Sequence, residues 1–264
     1  MLYQRITLDT GAPMDVYAPP FPVDPERGKR AIIICPGGGY AHLSLREAEP
    51  VALRFAGIGF VTFVLWYHVA PSVFPSQVQD IGAAVAHLRA HAAEYHVSPD
   101  AIAVMGFSAG AHAACSLGVM WQDESLWTPL GLSGEQVKPN AMVLGYPVIT
   151  GGAYAHRGSM ENLTGSTDPM VHARFSLEER VTGKTPPAFL WHTWDDSAVP
   201  VENTLMLAAA LHRHGVQAEV HIYPHGHHGS ALCDETSDSN GYYLIPAAEE
   251  WPERAACFLK DVLQ

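Results

Sequence analysis

The chain has 264 residues, 48% of them hydrophobic and 16% charged, which fits one large globular domain and excludes a disordered chain. The 27 acidic and 15 basic residues leave a net charge of −12, which phosphate backbones and anionic lipid would repel. No nucleic acid and no membrane surface is therefore expected as a partner. Cys35, Cys115, Cys233 and Cys257 share neither metal nor disulfide-scaffold spacing and read as mostly buried free thiols of a reducing compartment. Residues 1–9 carry no basic start followed by an apolar core, and the apolar run 60–67 is too short to cross a bilayer. The expectation is a soluble, cytoplasmic protein.

Short apolar runs rich in β-branched residues predict eight strands, at 6–8, 14–17, 31–35, 59–66, 101–105, 141–144, 188–191 and 219–223. The first two leave little room for a helix between them, which predicts an antiparallel start. Residues 19–30, with four prolines, read as a loop. Several middle strands are apolar at nearly every position, as strands buried on both faces are. Between them, 77–95 carries Val78, Ile81, Ala84, Val85 and Leu88 at helical spacing, and 112–120, 202–214 and 249–263 read similarly. This order predicts an α/β fold with a mostly parallel central sheet of about eight strands and helices on both faces, in a single domain over 1–264. Residues 150–187 lack a clear strand, and a stretch that long is expected to cover a pocket at one end of the sheet.

Four stretches after predicted strands carry chemistry. Cys35-Pro36-Gly37-Gly38-Gly39-Tyr40 follows the third strand, and its glycines leave backbone N–H groups open to a ligand. A phosphate-binding loop is the alternative, but the lysine and glycine spacings of such loops are absent. Gly106-Phe107-Ser108-Ala109-Gly110 lies between a strand and a helix. A sharp turn there lifts the serine hydroxyl clear of the sheet, needs small residues on both sides, and leaves the Ala109 N–H facing developing negative charge. The blander reading of Ser108 is a helix cap. Asp195 and Asp196 follow the seventh strand: one would point into the site and the other cap the helix near Glu202, with Asp196, three residues before Val199, preferred. His225-Gly226-His227-His228-Gly229 follows the last strand and supplies three candidate bases. A metal site on these histidines is the sharp alternative, although no acid stands at an obvious ligand spacing.

In this order the chain resembles an α/β-hydrolase, and more narrowly the bacterial acetyl esterases related to acetylxylan esterases, from about residue 31 to 232. The matching stretches are Cys35-Pro-Gly-Gly-Gly-Tyr40, Met105-Gly-Phe-Ser-Ala-Gly110, Gly145-Tyr-Pro-Val148, Thr185-Pro-Pro-Ala-Phe-Leu-Trp-His192, Val199-Pro-Val-Glu-Asn203 and His221-Ile-Tyr-Pro-His-Gly226. The resemblance implies a serine carboxylesterase without cofactor or metal, with Ser108 as nucleophile, Asp196 as acid and His228 as base. Relatives place the acid in Asp-x-x-Val-Pro and the base in Gly-x-His-Gly, which selects these two residues. Backbone N–H groups of Gly38, Gly39 and Ala109 would form the oxyanion hole. The implied substrate is a small ester, best an acetylated xylo-oligosaccharide, and relatives often assemble as homo-oligomers. Three positions depart from the family pattern: Pro36 replaces a histidine, His227 a small residue, and His68 after Tyr67 an arginine. Tyr40 and Tyr67, with Trp121 and Trp127, are expected to line a sugar platform, against the blander role of core packing. The rival readings are a peptidase of the same fold, a non-catalytic binding protein and a metal-dependent deacetylase.

Overall fold

All eight apolar runs are strands in the protein, whose computed structural model describes residues 2–19, 28–238 and 240–264. The strands are β1 (Leu2–Thr7), β2 (Pro13–Ala18), β3 (Lys29–Cys35), β4 (Val61–Leu65), β5 (Val97–Phe107), β6 (Ala141–Gly145), β7 (Ala188–Thr193) and β8 (Ala218–Tyr223). They form one sheet in the order β1-β2-β4-β3-β5-β6-β7-β8. The β1–β2 and β2–β4 pairs are antiparallel, so the predicted antiparallel start holds, and every later pair is parallel. The loop expected over 19–30 falls mostly on residues 20–27, outside the described residues.

Among the described residues eight α-helices lie in the connections between strands and a ninth follows the last strand: α1 (Glu49–Ile58), α2 (Ser76–Ala90), α3 (Ala109–Met120), α4 (Glu124–Trp127), α5 (Gly134–Val137), α6 (Arg157–Thr164), α7 (Pro169–Ala173), α8 (Glu202–Arg213) and α9 (Trp251–Val262). The four predicted helices are α2, α3, α8 and α9. The fifth long one, α1, was not anticipated, although Pro50 in its first turn and left-handed Gly59 after its end are the usual boundary signals. Successive strand residues face opposite sides of the sheet. Ala31, Ile33 and Cys35 pack with α2, α3 and α8, while Ile32 and Ile34 pack with α1 and α9. Each face of the sheet thus has its own apolar layer, which is why the strands are apolar at consecutive positions.

Residues 150–187 hold α6, α7 and a 3₁₀ turn at Leu177–Glu179, tied firmly to the sheet end. The Asn203 side chain accepts the N–H groups of Ile149 and Thr150 at 2.8 and 3.0 Å and donates to the Tyr154 carbonyl. Asn162 donates to the Gly39 carbonyl at 2.9 Å. His112, fully buried on α3, lies between the two regions. Its Nε2 is 3.0 Å from the Phe175 carbonyl oxygen and its Nδ1 2.9 Å from the Tyr40 hydroxyl. A carbonyl only accepts, so Nε2 carries the proton and Nδ1 accepts from Tyr40.

Burial lowers the pKa of His112 from 6.5 to about 4. On acidification the unfolded chain therefore takes up this proton first, and the folded form loses relative stability. The contribution is fully present above pH ~6.5 and is lost as pH falls from there to about 4, a change of about 3 kcal/mol. Thermal midpoints between pH 7 and 4.5 check this. The wild type's advantage over His112→Gln, which keeps a donor and an acceptor but cannot titrate, should shrink with acid. A constant difference would contradict it.

Candidate active site

The carboxyl ends of β3, β5, β7 and β8 bring the four predicted stretches together, as ligand sites in parallel sheets require. Ser108 follows β5 at φ 54°, ψ −121°, a conformation that L-residues adopt only under constraint. Its N–H is held by the Gly145 carbonyl at 3.1 Å. Although Ser108 is the N-cap of α3, its hydroxyl makes no capping bond and lies 2.7 Å from His228 Nε2. The small neighbours are sterically required. A Cβ on Gly106 would meet the Gly110 carbonyl oxygen at 2.3 Å, and one on Gly110 would meet the carbonyl oxygens of Cys35 and Pro36 at 2.1 and 2.4 Å.

Of the two adjacent acids, Asp196 turns inward and is buried. Its Oδ1 accepts the N–H groups of Ala198 and Val199, both at 2.9 Å. Its Oδ2 accepts from His228 Nδ1 at 2.7 Å and His192 Nε2 at 3.2 Å. Burial alone would raise its pKa. The hydrogen bonds from His192 and His228, with the charge of His228, outweigh burial and hold the carboxyl well below its usual range. A carboxylate there keeps the proton of His228 on Nδ1 and leaves Nε2 free to accept from Ser108. Asp195 does not cap the helix near Glu202 as expected. It accepts from His225 Nδ1 and from the Gly226 N–H, both at 2.9 Å, while the N-cap of α8 is Val201, without a side-chain bond.

The three clustered histidines have separate partners. His228 meets Ser108 and Asp196, exposed His225 pairs with Asp195, and His227 stacks on Tyr242 with ring centres 4.0 Å apart. Among the described residues, no three His, Cys, Asp or Glu side chains group as metal ligands would. None of the described helices is long and apolar enough to cross a membrane. Three of the four cysteines are buried, Cys257 is exposed, and all four are free thiols.

The glycine loop after β3 stands beside Ser108. Gly38, at φ 128°, folds so tightly that a Cβ would lie 2.2 Å from the His42 carbonyl oxygen. The N–H groups of Ala41 and His42 close this turn on the Gly38 carbonyl. The Gly37 N–H is spent on Glu47 Oε2 at 2.7 Å. Among the described residues, the N–H groups of Gly38, Gly39 and Ala109 have no protein acceptor. Three free donors thus lie in the loops that flank one hydroxyl, the arrangement an anionic oxygen needs.

The aromatic expectations are corrected. Tyr40 and Tyr67 are 0% and 2% exposed and offer no ring face to a ligand. Tyr67 donates to the Pro36 carbonyl at 2.6 Å and Tyr40 bonds His112, so both brace the glycine loop from within. Trp121 and Trp127 are also buried, and Trp127 donates to the Trp121 carbonyl at 2.7 Å. His68 bonds Asp80 at 2.8 Å. Residues that the sequence reading missed are His192, which donates to Asp196 while accepting from Thr204, and the Glu47–Tyr146 pair. His192 is four residues before Asp196 at the end of a buried strand, a spacing that could have drawn notice.

The BD-FAE family model matches residues 14–211. The chain is 35% identical over 212 residues to endo-1,4-beta-xylanase B of Butyrivibrio fibrisolvens, covering 77% of this chain and 33% of that protein. It is 30% identical over 243 residues to the acetylxylan esterase of Xylanibacter ruminicola, covering 86% of this chain and 48% of that protein. The chain therefore spans between a third and a half of the length of these curated relatives. The crystal structure of an acetyl ester-xyloside bifunctional hydrolase from Caldicellulosiruptor lactoaceticus superposes with a TM-score of 0.83 at 35% identity, covering 96% of this chain and 88% of that one.

The close approach at Gly110 yields a stability prediction. Gly110→Ala forces a Cβ against two backbone oxygens and should cost about 3 kcal/mol or more in urea unfolding. Gly158→Ala, where the nearest atom to the new Cβ is 3.8 Å away, should change stability by less than about 1 kcal/mol. Equal midpoints for the two variants would refute the packing argument.

Proposed function

We propose that this chain, which belongs to the BD-FAE family and has the α/β-hydrolase fold, is a serine carboxylesterase that removes acetyl groups from acetylated xylo-oligosaccharides or related sugars. The observation that carries this reading is the continuous hydrogen-bond chain Ser108–His228–Asp196, 2.7 Å at each link, beside three N–H groups unpaired among the described residues. The names of the acetylxylan esterase and the acetyl ester-xyloside hydrolase support an acetylated sugar as substrate.

In this mechanism His228 Nε2 takes the Ser108 proton as Oγ attacks the ester carbonyl carbon. The carbonyl oxygen becomes an oxyanion that accepts from the N–H groups of Gly38, Gly39 and Ala109. Asp196 stabilises the imidazolium without taking its proton. The tetrahedral intermediate then collapses, the bond to the sugar oxygen breaks, and His228 hands its proton to that oxygen. Water, activated by the same imidazole, attacks the acetyl-Ser108 ester and releases acetate. Residues 150–187 wall the glycine loop through the Asn162–Gly39 bond and belong to the pocket in this reading. The exposed Tyr242, stacked on His227 next to the base, offers a ring surface to the sugar in place of the buried tyrosines. The reading includes a cytoplasmic site of action, which the three buried free thiols suit.

Hydrolysis of p-nitrophenyl acetate, butyrate and octanoate by wild type and variants tests the assignment. Turnover should be fastest on acetate and fall with acyl length. Ser108→Ala should lose roughly 10⁶-fold in kcat and Asp196→Asn about 10⁴-fold, and a fluorophosphonate should label wild type at Ser108 only. Acetate release from acetylated xylo-oligosaccharides tests the substrate class. A wild type without turnover, or a Ser108→Ala protein that keeps it, overturns the reading.

A further inference from the structure

Glu47 is a carboxylate where none is expected. It is 2% exposed and, among the described residues, pairs with no cation. A charge buried without a partner is costly and persists only where hydrogen bonds satisfy it. Both Glu47 oxygens are used, and each reaches a different part of the site. Oε2 accepts the Gly37 N–H at 2.7 Å, immediately before the two glycines whose N–H groups are free. Oε1 accepts the Tyr146 hydroxyl at 2.7 Å.

Tyr146 carries the connection onward. Its hydroxyl oxygen accepts the Ala231 N–H at 3.0 Å, three residues past His228. Its ring meets the His228 imidazole edge-on, with centres 4.9 Å apart. Burial and the neighbouring carboxylate push the phenol far up, so it stays a donor. The residue also sits at φ 34°, a strained backbone for a tyrosine, with its N–H held by the Trp191 carbonyl at 2.7 Å. From outside, Arg46 donates to the Gly229 carbonyl at 3.1 Å and lies over the Tyr243 ring. Consecutive residues 46 and 47 therefore hold the base loop from two sides.

We propose that Glu47 is a positioning residue that sets the distance between the oxyanion donors and the base, one oxygen aiming the glycine loop through Gly37 and the other aiming the His228 loop through Tyr146. The inference rests on the esterase reading above. Donors and base must act on the two ends of one polarising carbonyl, so their separation matters as much as either alone. Misplacement by an ångström is enough to cost about 10²-fold in rate. Glu47 touches no reacting atom and acts only through its two partners.

The test is steady-state hydrolysis of p-nitrophenyl acetate, expressed per active site counted by exhaustive fluorophosphonate labelling. It is paired with inhibition by a short alkyl boronic acid, whose adduct on Ser108 places an oxygen where the oxyanion forms. Glu47→Ala should lower kcat about 10²-fold with KM changed less than about threefold, and should raise the boronate inhibition constant in parallel. Tyr146→Phe keeps the Gly37 bond, cuts the tie to Ala231 and should lower kcat about tenfold. Glu47→Gln keeps one acceptor oxygen for the Gly37 N–H but turns a donor N–H₂ toward the donating Tyr146 hydroxyl, so it should recover only the glycine-loop arm and fall between Glu47→Ala and wild type. If Glu47→Ala does not fold, Glu47→Asp, one methylene too short to span both partners, replaces it. A kcat per site within about twofold of wild type for the shortened variants, with boronate inhibition unchanged, overturns the proposal. An inactive and unlabelled wild type overturns the esterase reading instead.

Discussion

The first turn of α3 passes against the end of β3 only because Gly110 has no side chain, its would-be Cβ lying 2.1 Å from the Cys35 carbonyl oxygen. That approach places the hydroxyl of Ser108 beside the glycine loop, and the rest of the site is arranged around it. The serine takes a strained conformation so that its hydroxyl leaves the helix cap and meets His228. The strain at Ser108 is set by the packing of α3 and the register of β5 between β3 and β6, where the apolar layers on both faces leave no room to relax.

Around this point, polar groups buried in the core replace solvent. Asp196 accepts four hydrogen bonds, from two backbone N–H groups and two imidazoles, so its charge is fully satisfied before any substrate arrives. On the other side Glu47 accepts one backbone N–H and one phenol. Donors already fixed in place cost no reorganisation when charge develops on a bound carbonyl. The neutral histidine His112 belongs to the same scheme, because it joins Tyr40 of the glycine loop to Phe175 of the 150–187 segment.

Each of the eight predicted runs lies inside or overlaps a strand, and the middle strands were the most legible because burial on both faces leaves an unbroken apolar run. The serine turn was legible because steric necessity writes Gly106 and Gly110 at fixed offsets. The choice between Asp195 and Asp196 was not, since adjacent acids after a strand differ only in which way the turn points them. The residues alone gave a preference for Asp196, and family resemblance selected it. The three histidines posed the same difficulty, and the structure separates them by partner: Asp196, Asp195 and Tyr242. Tyr40 and Tyr67 were misplaced because a tyrosine next to a ligand loop looks the same whether its ring faces outward or inward. Glu47 and Tyr146 are 99 residues apart, so no local pattern records their bond.

The buried tyrosines bear on Pro36, which the sequence resemblance marks as a departure from the family pattern. Pro36 has no N–H and brings no imidazole, so the glycine loop at this position cannot be steadied by its own side chain. The structure supplies the support from elsewhere: Tyr67 donates to the Pro36 carbonyl, Tyr40 is anchored on His112, Glu47 accepts the Gly37 N–H and Asn162 holds the Gly39 carbonyl. Every one of these braces comes from beneath or beside the loop, and none uses the N–H groups of Gly38 or Gly39. A loop held by its carbonyls and by its first amide keeps its remaining amides open, which is the condition for receiving an oxyanion. Rigidity and vacancy at the same few residues are compatible here only because the polar partners lie in the core.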